Sequence, residues 1–422
     1  MSLAEAAAAQ MQVLQSDAPA AAALLSPLGR RAVLPLGIPQ QSAQAAGCER
    51  QATIGQITAS NGRPLALPAV AVHFAGLDDK QALLYAPTAG LKSLREAWRK
   101  RIGVENCSLP VVTTGMSHGV SLVADLFGCP EQPLVLAAPY WDNYDTIWHM
   151  RTEAPMRRFP FFDTVGRFNL AGLGDRLAEL AGPATLLLNF PNNPTGYAPT
   201  HAEVEALVAR IHAHPHPLAV LCDDAYQGLY WGEDCFPGSI FASLVNGSDP
   251  ARLLVCKVDG ATKELVFFGG RVGFLTFGVS GRAGEVLADK AAAVLRGTIS
   301  SAPAASQAVV LAALGDPQLV PQQEEVRGVL RRRYLALRHA LDAENVEYWP
   351  FNSGCFAMIR LAEHQLAADI RLRLIREQST GVIEVTGANA LRVAFCSVDE
   401  ADIPNLVARI ARVVNNVQAP VS

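Results

Sequence analysis

Short apolar runs alternate with helical patterns along the middle of the chain. The apolar runs cover residues 111–114, 134–138, 184–189, 218–222 and 253–258. Stretches with apolar residues at helical spacing lie between them. Short strands that are apolar throughout are typical of a parallel sheet with helices on both faces. We therefore predict an α/β fold with a mainly parallel sheet.

The ends of the chain have different patterns. A long charged helix is predicted at 324–342, after which shorter apolar runs and a last helix indicate a smaller α+β domain. The alanine-rich start lacks a basic region and a continuous apolar core, so it does not predict a signal peptide; we interpret it as helical or partly mobile. A turn is predicted at Asn61-Gly62. The predicted division is an N-terminal arm (1–50), a substrate-side segment that packs with the small domain (51–75), a large domain (76–315) and a small C-terminal domain (316–422).

Composition narrows the class of protein. The 422 residues are half hydrophobic and 18% charged, which suits two domains with sizeable cores. The net charge of −4 gives no basic footprint for nucleic acid. Eight scattered cysteines indicate reduced thiols in the cytoplasm rather than a disulfide framework. We expect no membrane span and no metal site, because His212, His214 and His216 share their segment with Pro215 and suit a loop.

Polar clusters follow the ends of the apolar runs. In an open parallel sheet, ligands bind at the carboxyl ends of the strands, so we expect these clusters to meet in one pocket. In chain order they are residues 115–119, 139–144, 191–196, 223–228 and the residues leading to Lys263.

Lys263 and Arg271 carry the most specific chemistry. Lys263 follows the run at 253–258, and Arg271 opens another apolar run at 272–277. A lysine amine forms a Schiff base with an aldehyde, and an arginine binds phosphate. The pair therefore suits a covalently held anionic cofactor. The alternative is a surface lysine with a solvated arginine, and this stretch alone leaves both open.

The other clusters offer groups for the same cofactor, each with an ordinary structural alternative. The helix start at 115–117 can seat a phosphate or be a simple serine cap. Trp141 can stack on a ring or pack in the core. Asp223 can pair with a protonated pyridine nitrogen or with an arginine. Asn193 and Tyr226 can bind a phenolate oxygen, although turn chemistry also explains Asn193.

In this order the clusters resemble the fold-type I, pyridoxal-phosphate-dependent aminotransferases of class I/II, the aspartate aminotransferase superfamily. The most specific matches are Asn-Pro-Thr-Gly at 193–196, Asp-x-Ala-Tyr-Gln-Gly at 223–228 and Lys-x7-Arg-x-Gly at 263–273. The resemblance covers the chain from about residue 50 to the C-terminus. It implies a large cofactor-binding domain with a mainly parallel, seven-stranded sheet, a smaller α+β domain, the cofactor pyridoxal 5′-phosphate and a homodimer with shared sites.

The resemblance also implies roles within the cofactor site. Lys263 carries the cofactor and moves the proton, while Asp223 pairs with the pyridine nitrogen. Tyr226 and Asn193 bind the ring oxygen O3′, and Trp141 stacks on the ring. The phosphate ligands are Gly115, Met116, Ser117 and Arg271. Thr262, beside the lysine, either adds a phosphate contact or packs.

Further residues resemble the parts of the site that meet the substrate or the second subunit. Tyr85 resembles the tyrosine that reaches the phosphate of the other subunit. Arg392 resembles the arginine that binds the substrate α-carboxylate, with a surface strand arginine as the alternative. Gly55 resembles the mobile-loop glycine near the substrate, and Arg296 is placed like an arginine donated to the neighbouring site. Gly260 departs from the family, which often has serine there, so the phosphate seat is expected to be looser or rearranged.

The implied function is an aminotransferase that moves an amino group between an L-amino acid and a 2-oxo acid by a ping-pong mechanism. The alternative is an enzyme of the same fold and cofactor that performs elimination, replacement, decarboxylation or carbon–carbon bond formation in a biosynthetic pathway. A transcriptional regulator on this fold would need a DNA-binding module, and the N-terminus has no basic helix-turn-helix pattern.

Overall fold

The strands of the protein form three sheets. The computed structural model describes residues 3–34, 37–59, 62–385 and 387–415, so the predicted turn at Asn61-Gly62 lies partly outside the described residues. In chain order the strands are β1 (Arg50–Gln51), β2 (Val111–Thr114), β3 (Leu134–Ala138), β4 (Met156–Pro160), β5 (Ala184–Asn189), β6 (Leu218–Asp223), β7 (Leu253–Gly260), β8 (Val272–Phe277), β9 (Phe356–Arg360), β10 (Thr380–Gly381), β11 (Ile383–Glu384) and β12 (Ala390–Ala394).

Helices separate these strands and cover the sheets. They are α1 (Leu3–Asp17), α2 (Pro19–Leu24), α3 (Pro27–Arg31), α4 (Ile38–Gln44), α5 (Pro68–Ala75), α6 (Asp79–Leu83), α7 (Lys92–Ile102), α8 (Met116–Phe127), α9 (Asn143–Arg151), α10 (Leu170–Ala178), α11 (His201–His212), α12 (Ile240–Val245), α13 (Ala261–Glu264), α14 (Gly281–Ile299), α15 (Ala304–Leu314), α16 (Leu319–Ala343), α17 (Ala367–Gln378) and α18 (Ile403–Val414). Short 3₁₀ segments cover Phe268–Gly270, Phe395–Ser397 and Glu400–Asp402.

The large sheet has seven strands in the order β2-β8-β7-β6-β5-β3-β4. β3 to β7 run parallel, whereas β8 is antiparallel to both β7 and β2. Alternate residues of β5 enter cores on opposite faces: Leu186 and Leu188 pack with α10 and α11, while Leu187 packs with the residues around α8. The predicted α/β fold with a mainly parallel, doubly covered sheet is therefore confirmed.

The register of the sheet brings the predicted site strands to one edge. Asn189 of β5 lies opposite Asp223 of β6, which in turn lies opposite Val258 of β7. On the next pair, Gly260 lies opposite Gly273 of β8. The carboxyl ends of β5 and β6 therefore stop level with each other, β7 runs two residues further to Gly260, and the segments that follow all three lie at the same edge of the sheet.

The C-terminal part is built on α16 and a three-stranded antiparallel sheet in the order β11-β12-β9. α18 packs its apolar face, with Leu406 and Ile410, into the same core as Leu330 and Leu337 of α16. β1 pairs with β10 of this part, so residues 50–51 join it rather than the large sheet. The boundaries at 50, 75 and 315 stay predictions.

The N-terminal arm is helical over α1 to α4 and is fastened by its last helix. Both the N–H and the carbonyl of Glu384 bond the Gln41 side chain, at 2.7 and 3.3 Å. Among the described residues, no helix is long and apolar enough to cross a membrane.

Candidate active site

A cavity of about 390 Å³ lies at the carboxyl ends of β5, β6 and β7, a volume typical of sites for small molecules and cofactors. Most of the residues predicted from the sequence line it, although they come from distant parts of the chain. They are Gly55, Met116, Ser117, Trp141, Asn193, Asp223, Tyr226, Thr262, Lys263, Arg271 and Arg392.

Lys263 sits in α13, the single helical turn directly after β7. Its Nζ lies 5.0 Å from the centre of the Tyr226 ring. Burial lowers the pKa of Lys263, and the carboxylate of Asp223 opposes that shift. A lysine whose neutral form is favoured is suited to attack an aldehyde and to accept a proton.

Asp223 is held by a tyrosine rather than by an arginine. The Tyr144 hydroxyl donates to Oδ2 of Asp223 at 2.6 Å, and the Ala225 N–H donates to Oδ1 at 3.1 Å. Burial raises the pKa of Asp223, while the bond from Tyr144 and the nearby charge of Lys263 lower it. The carboxylate is thus oriented and available to a positively charged partner inside the cavity.

Tyr144 is a residue that the sequence reasoning missed. It belongs to the same strand-end cluster as Trp141, three residues earlier, and their rings meet edge to face at 5.4 Å. The spacing of one helical turn, at the start of α9, was the signal that could have found it.

The start of α8 and Arg271 form a seat for an anion. Gly115 has φ +78°, and a Cβ placed on it would collide with Nη2 of Arg271. The guanidinium therefore lies directly against the backbone that leads into the helix. Free N–H groups at the helix start, the Ser117 hydroxyl and the guanidinium together favour a phosphate.

Gly260 is required by the packing of β7 on β8. A Cβ at this position would lie 2.6 Å from the carbonyl oxygen of Val272 and 2.8 Å from Cα of Gly273. A serine cannot fit there without moving β8 away. The nearby hydroxyl of Thr262 is buried with no hydrogen-bond partner in the described part of the chain, and Thr262 lines the cavity. A ligand anion would satisfy it.

Arg392 is a buried arginine at the cavity wall, not a surface strand residue. It is 2% exposed. Its Nη1 donates to Oδ1 of Asn193 at 2.8 Å and its Nη2 to the carbonyl of Thr53 at 2.7 Å, whereas Nε has no partner among the described residues. Asn193 also donates its N–H to Oδ1 of Asn189 at 2.9 Å. Asn193 thus serves the turn and orients Arg392 as well.

Apolar residues form a further part of the wall that the sequence reasoning missed. They are Ile38, Ile54, Phe268 and Phe356. Ile38 comes from α4 in the arm, to which no site residue had been assigned. No local motif marks these residues, because only the folded chain brings them to the cavity.

The remaining predicted residues lie outside the cavity wall. Gly115 lies behind Arg271, as described. Tyr85 is 94% exposed in the single chain. Arg296 is exposed in the last turn of α14. The roles of Tyr85 and Arg296 at a second subunit stay predictions.

The donor set of the cavity fits pyridoxal phosphate. It combines an amine, a buried carboxylate, an anion seat and an unpartnered hydroxyl. Within residues 3–34, 37–59, 62–385 and 387–415, no group of three or more His, Cys, Asp and Glu side chains is arranged to hold a metal ion.

Comparison with known proteins agrees with this geometry. The chain is 30% identical to an aspartate aminotransferase of Rhizobium meliloti over 60% of this chain and 59% of that protein. It is 27% identical to a 2-aminoadipate transaminase of Thermus thermophilus over 80% of this chain and 83% of that protein. A crystal structure of an aminotransferase from Anaerococcus prevotii superposes with a TM-score of 0.83 at 21% identity, over 93% of this chain and 100% of that chain.

The matches to curated relatives are partial in some cases: the aligned segments span 47% and 59% of the length of two of them. The family model described as Aminotransferase class I and II matches residues 53–410, most of the chain. The chain therefore belongs to the class I and II aminotransferases, a family that depends on pyridoxal phosphate.

Proposed function

We propose that the protein is an aminotransferase that moves an amino group between an L-amino acid and a 2-oxo acid in a ping-pong cycle. The observation that carries this proposal is the convergence of Lys263, Asp223, Arg271 and Arg392 on one cavity. When bound, pyridoxal phosphate supplies an aldehyde that captures the amino group and an electron-poor ring that stabilises negative charge at the substrate Cα.

The cofactor would be held by the groups already described. Arg271, the start of α8 with Gly115, Met116 and Ser117, and the Thr262 hydroxyl would take the phosphate. Asp223 would keep a proton on the pyridine nitrogen, because an ionised carboxylate favours the protonated form. Tyr226 and Asn193 would bind the ring oxygen and Trp141 would cover the ring. These ligands lie in residues 76–315, the proposed cofactor domain.

The substrate would meet Arg392 and Lys263. The guanidinium of Arg392, oriented by Asn193 and Thr53, would bind the α-carboxylate. Nζ of Lys263 would take the proton from the substrate Cα and return it to the aldehyde carbon of the cofactor, on the other side of the transferred nitrogen. Its lowered pKa suits this exchange, because a neutral amine is the proton acceptor. Gly55 lets the chain pass close to Phe356 at this wall: a Cβ there would lie 2.6 Å from the ring.

A homodimer completes the proposal. Tyr85 and its neighbours Leu83 and Leu84 are 94, 78 and 62% exposed in the single chain. Contiguous exposed apolar residues mark interaction sites, and a second copy of the chain would bury these three residues. Tyr85 would then reach the phosphate bound in the second copy. We place the enzyme in the cytoplasm, since all eight cysteines are free thiols.

Absorbance spectroscopy of the purified holoenzyme tests the function. The visible band of the lysine-bound cofactor should be present, lost in Lys263→Ala and kept in the exposed control Lys290→Ala. An L-amino acid should convert the band to that of the pyridoxamine form, and a 2-oxo acid should restore it. Release of ammonia, carbon dioxide or a lyase product without this reversal would favour the alternative chemistry, and absence of any band after reconstitution would refute the cofactor assignment.

A further inference from the structure

Few positively charged side chains of the cavity are left to bind a substrate. Among the described residues that line it, the cationic side chains are Lys263, Arg271 and Arg392. Arg271 belongs to the anion seat beside Gly115, and Lys263 would carry the cofactor. Arg392 is then left for the one α-carboxylate that every amino acid brings. A second carboxylate, on the substrate side chain, would find no further counter-charge among the described residues of this chain that line the cavity, and burying an unpaired carboxylate is costly.

Apolar side chains form a large part of the remaining cavity lining. Phe356 packs its ring 4.3 Å from the guanidinium carbon of Arg392. Ile54 adjoins Gly55, lines the same cavity and is 47% exposed. Ile38 and Phe268 also line the cavity, where Gln56 is the polar neighbour of Gly55.

Ile38 is held at the cavity by specific contacts. The Gln41 side chain fastens α4 to the backbone of Glu384 in β11, and β11 pairs with β12 beside Arg392. The helix that carries Ile38 is therefore anchored to the strands beside Arg392.

We infer that the substrates carry apolar side chains, of the size of leucine, methionine or phenylalanine, and that Ile38, Ile54 and Phe356 form the side-chain subsite. The inference rests on the proposed aminotransferase function and names its substrate class. In the reaction the amino group of such an amino acid passes to a 2-oxo acid, so one apolar 2-oxo acid is formed for each amino acid consumed, and no external oxidant or reductant is needed.

Binding of unreactive acids to the holoenzyme tests the subsite independently of turnover. In isothermal titration calorimetry, 4-methylpentanoate should bind at least about tenfold more tightly than glutarate, because the second carboxylate of glutarate would be buried without a partner, whereas the methyl groups of 4-methylpentanoate would gain apolar contacts. In stopped-flow absorbance, leucine should convert the holoenzyme at least about tenfold faster than glutamate at equal low concentration.

Variants of Ile38 test whether this residue causes the preference for the apolar ligand. Ile38→Ala should reduce the advantage of 4-methylpentanoate over glutarate by about tenfold. Ile38→Arg should raise the affinity for glutarate, because it supplies the missing cation. Val165→Ala, at an apolar residue that is 75% exposed and lies outside the cavity wall, should leave both affinities unchanged.

The outcomes separate the two proposals. Tighter binding of glutarate by the wild-type enzyme, lost in Arg296→Ala, would show that Arg296 from a partner subunit supplies the counter-charge, and would overturn the inference while leaving the aminotransferase in place. Tighter binding of 4-methylpentanoate without conversion by any amino acid would uphold the apolar subsite and overturn the proposed reaction.

Discussion

A buried lysine in one of the active-site strands offers the sharpest test of what stabilises the fold. Lys257, in the middle of β7, is 2% exposed. Its Nζ contacts the carboxylate of Asp224, lies 3.1 Å from Oδ2 of Asp259 and donates to Oε1 of Gln227 at 2.8 Å. Trp98 donates its indole N–H to the other oxygen of Asp259 at 3.0 Å. One cation thus serves two buried carboxylates.

Lys257→Met keeps the length of the side chain and removes its charge. Two buried carboxylates then lose their counter-charge, and breaking such a pair costs about 3–5 kcal/mol. Burial raises the pKa of Asp259 to about 6, although the positive charge of Lys257 lowers it. This carboxyl is therefore already costly to ionise. With a urea slope of about 3 kcal/mol/M, the unfolding midpoint should fall by about 1–2 M.

Urea unfolding of the holoenzyme, followed by tryptophan fluorescence at saturating cofactor, measures the change. Lys290→Met removes an exposed lysine and should move the midpoint little. The triple variant Lys257→Met/Asp224→Asn/Asp259→Asn should recover most of the loss, because no unpaired charge remains. A Lys257→Met midpoint within about 0.3 M of wild type would refute the reasoning, as would a triple variant no more stable than the single one.

Three other changes have defined outcomes. Asp259→Asn should flatten the pH dependence of stability. The pKa of Asp259 is raised to about 6 in the folded chain, so the wild type gains stability at low pH that is lost as the pH rises through 6. Urea unfolding at pH 4 and at pH 7 should differ by about 2 kcal/mol from this group in the wild type. Tyr144→Phe should raise the pKa of Asp223 and weaken cofactor binding about tenfold, seen by equilibrium titration of the absorbance band; unchanged affinity would count against its role. Gly260→Ser should cost about 1–3 kcal/mol of stability, measured as a lower urea midpoint, because its Cβ meets the Val272 carbonyl; equal stability would contradict the clash.

The large sheet was predictable because its strands are buried on both faces. A strand that is buried on both faces is apolar throughout, so it can be recognised in the sequence as a continuous apolar run. Each such run in the middle of the chain forms a strand of the sheet. The same rule led to the cavity, since polar residues after buried strands meet at one edge. Lys263, Asp223 and Arg271 were found this way, without knowledge of any contact.

Residues that depend on tertiary contact were not predictable. Tyr144 looks like any helical tyrosine until its hydroxyl is seen on Asp223. Ile38 lies in an arm whose alanine-rich sequence has no periodicity that marks a site. The helix that carries it is placed by the bonds between Gln41 and Glu384, which are 343 residues apart in the chain. Pairings over such distances leave no local pattern.

Lys257 shows where the apolar-strand rule itself fails. It stands inside the run at 253–258, and a lysine there is expected to break the strand or reach solvent. The strand persists because Asp224, next to Asp223, and Asp259, four residues before Lys263, both turn toward it. The residues that would hold the cofactor and the residues that neutralise Lys257 are therefore neighbours in sequence at the same strand ends. In this chain the local violation of the strand pattern lies at the functional edge of the sheet, where sequence rules are expected to be broken.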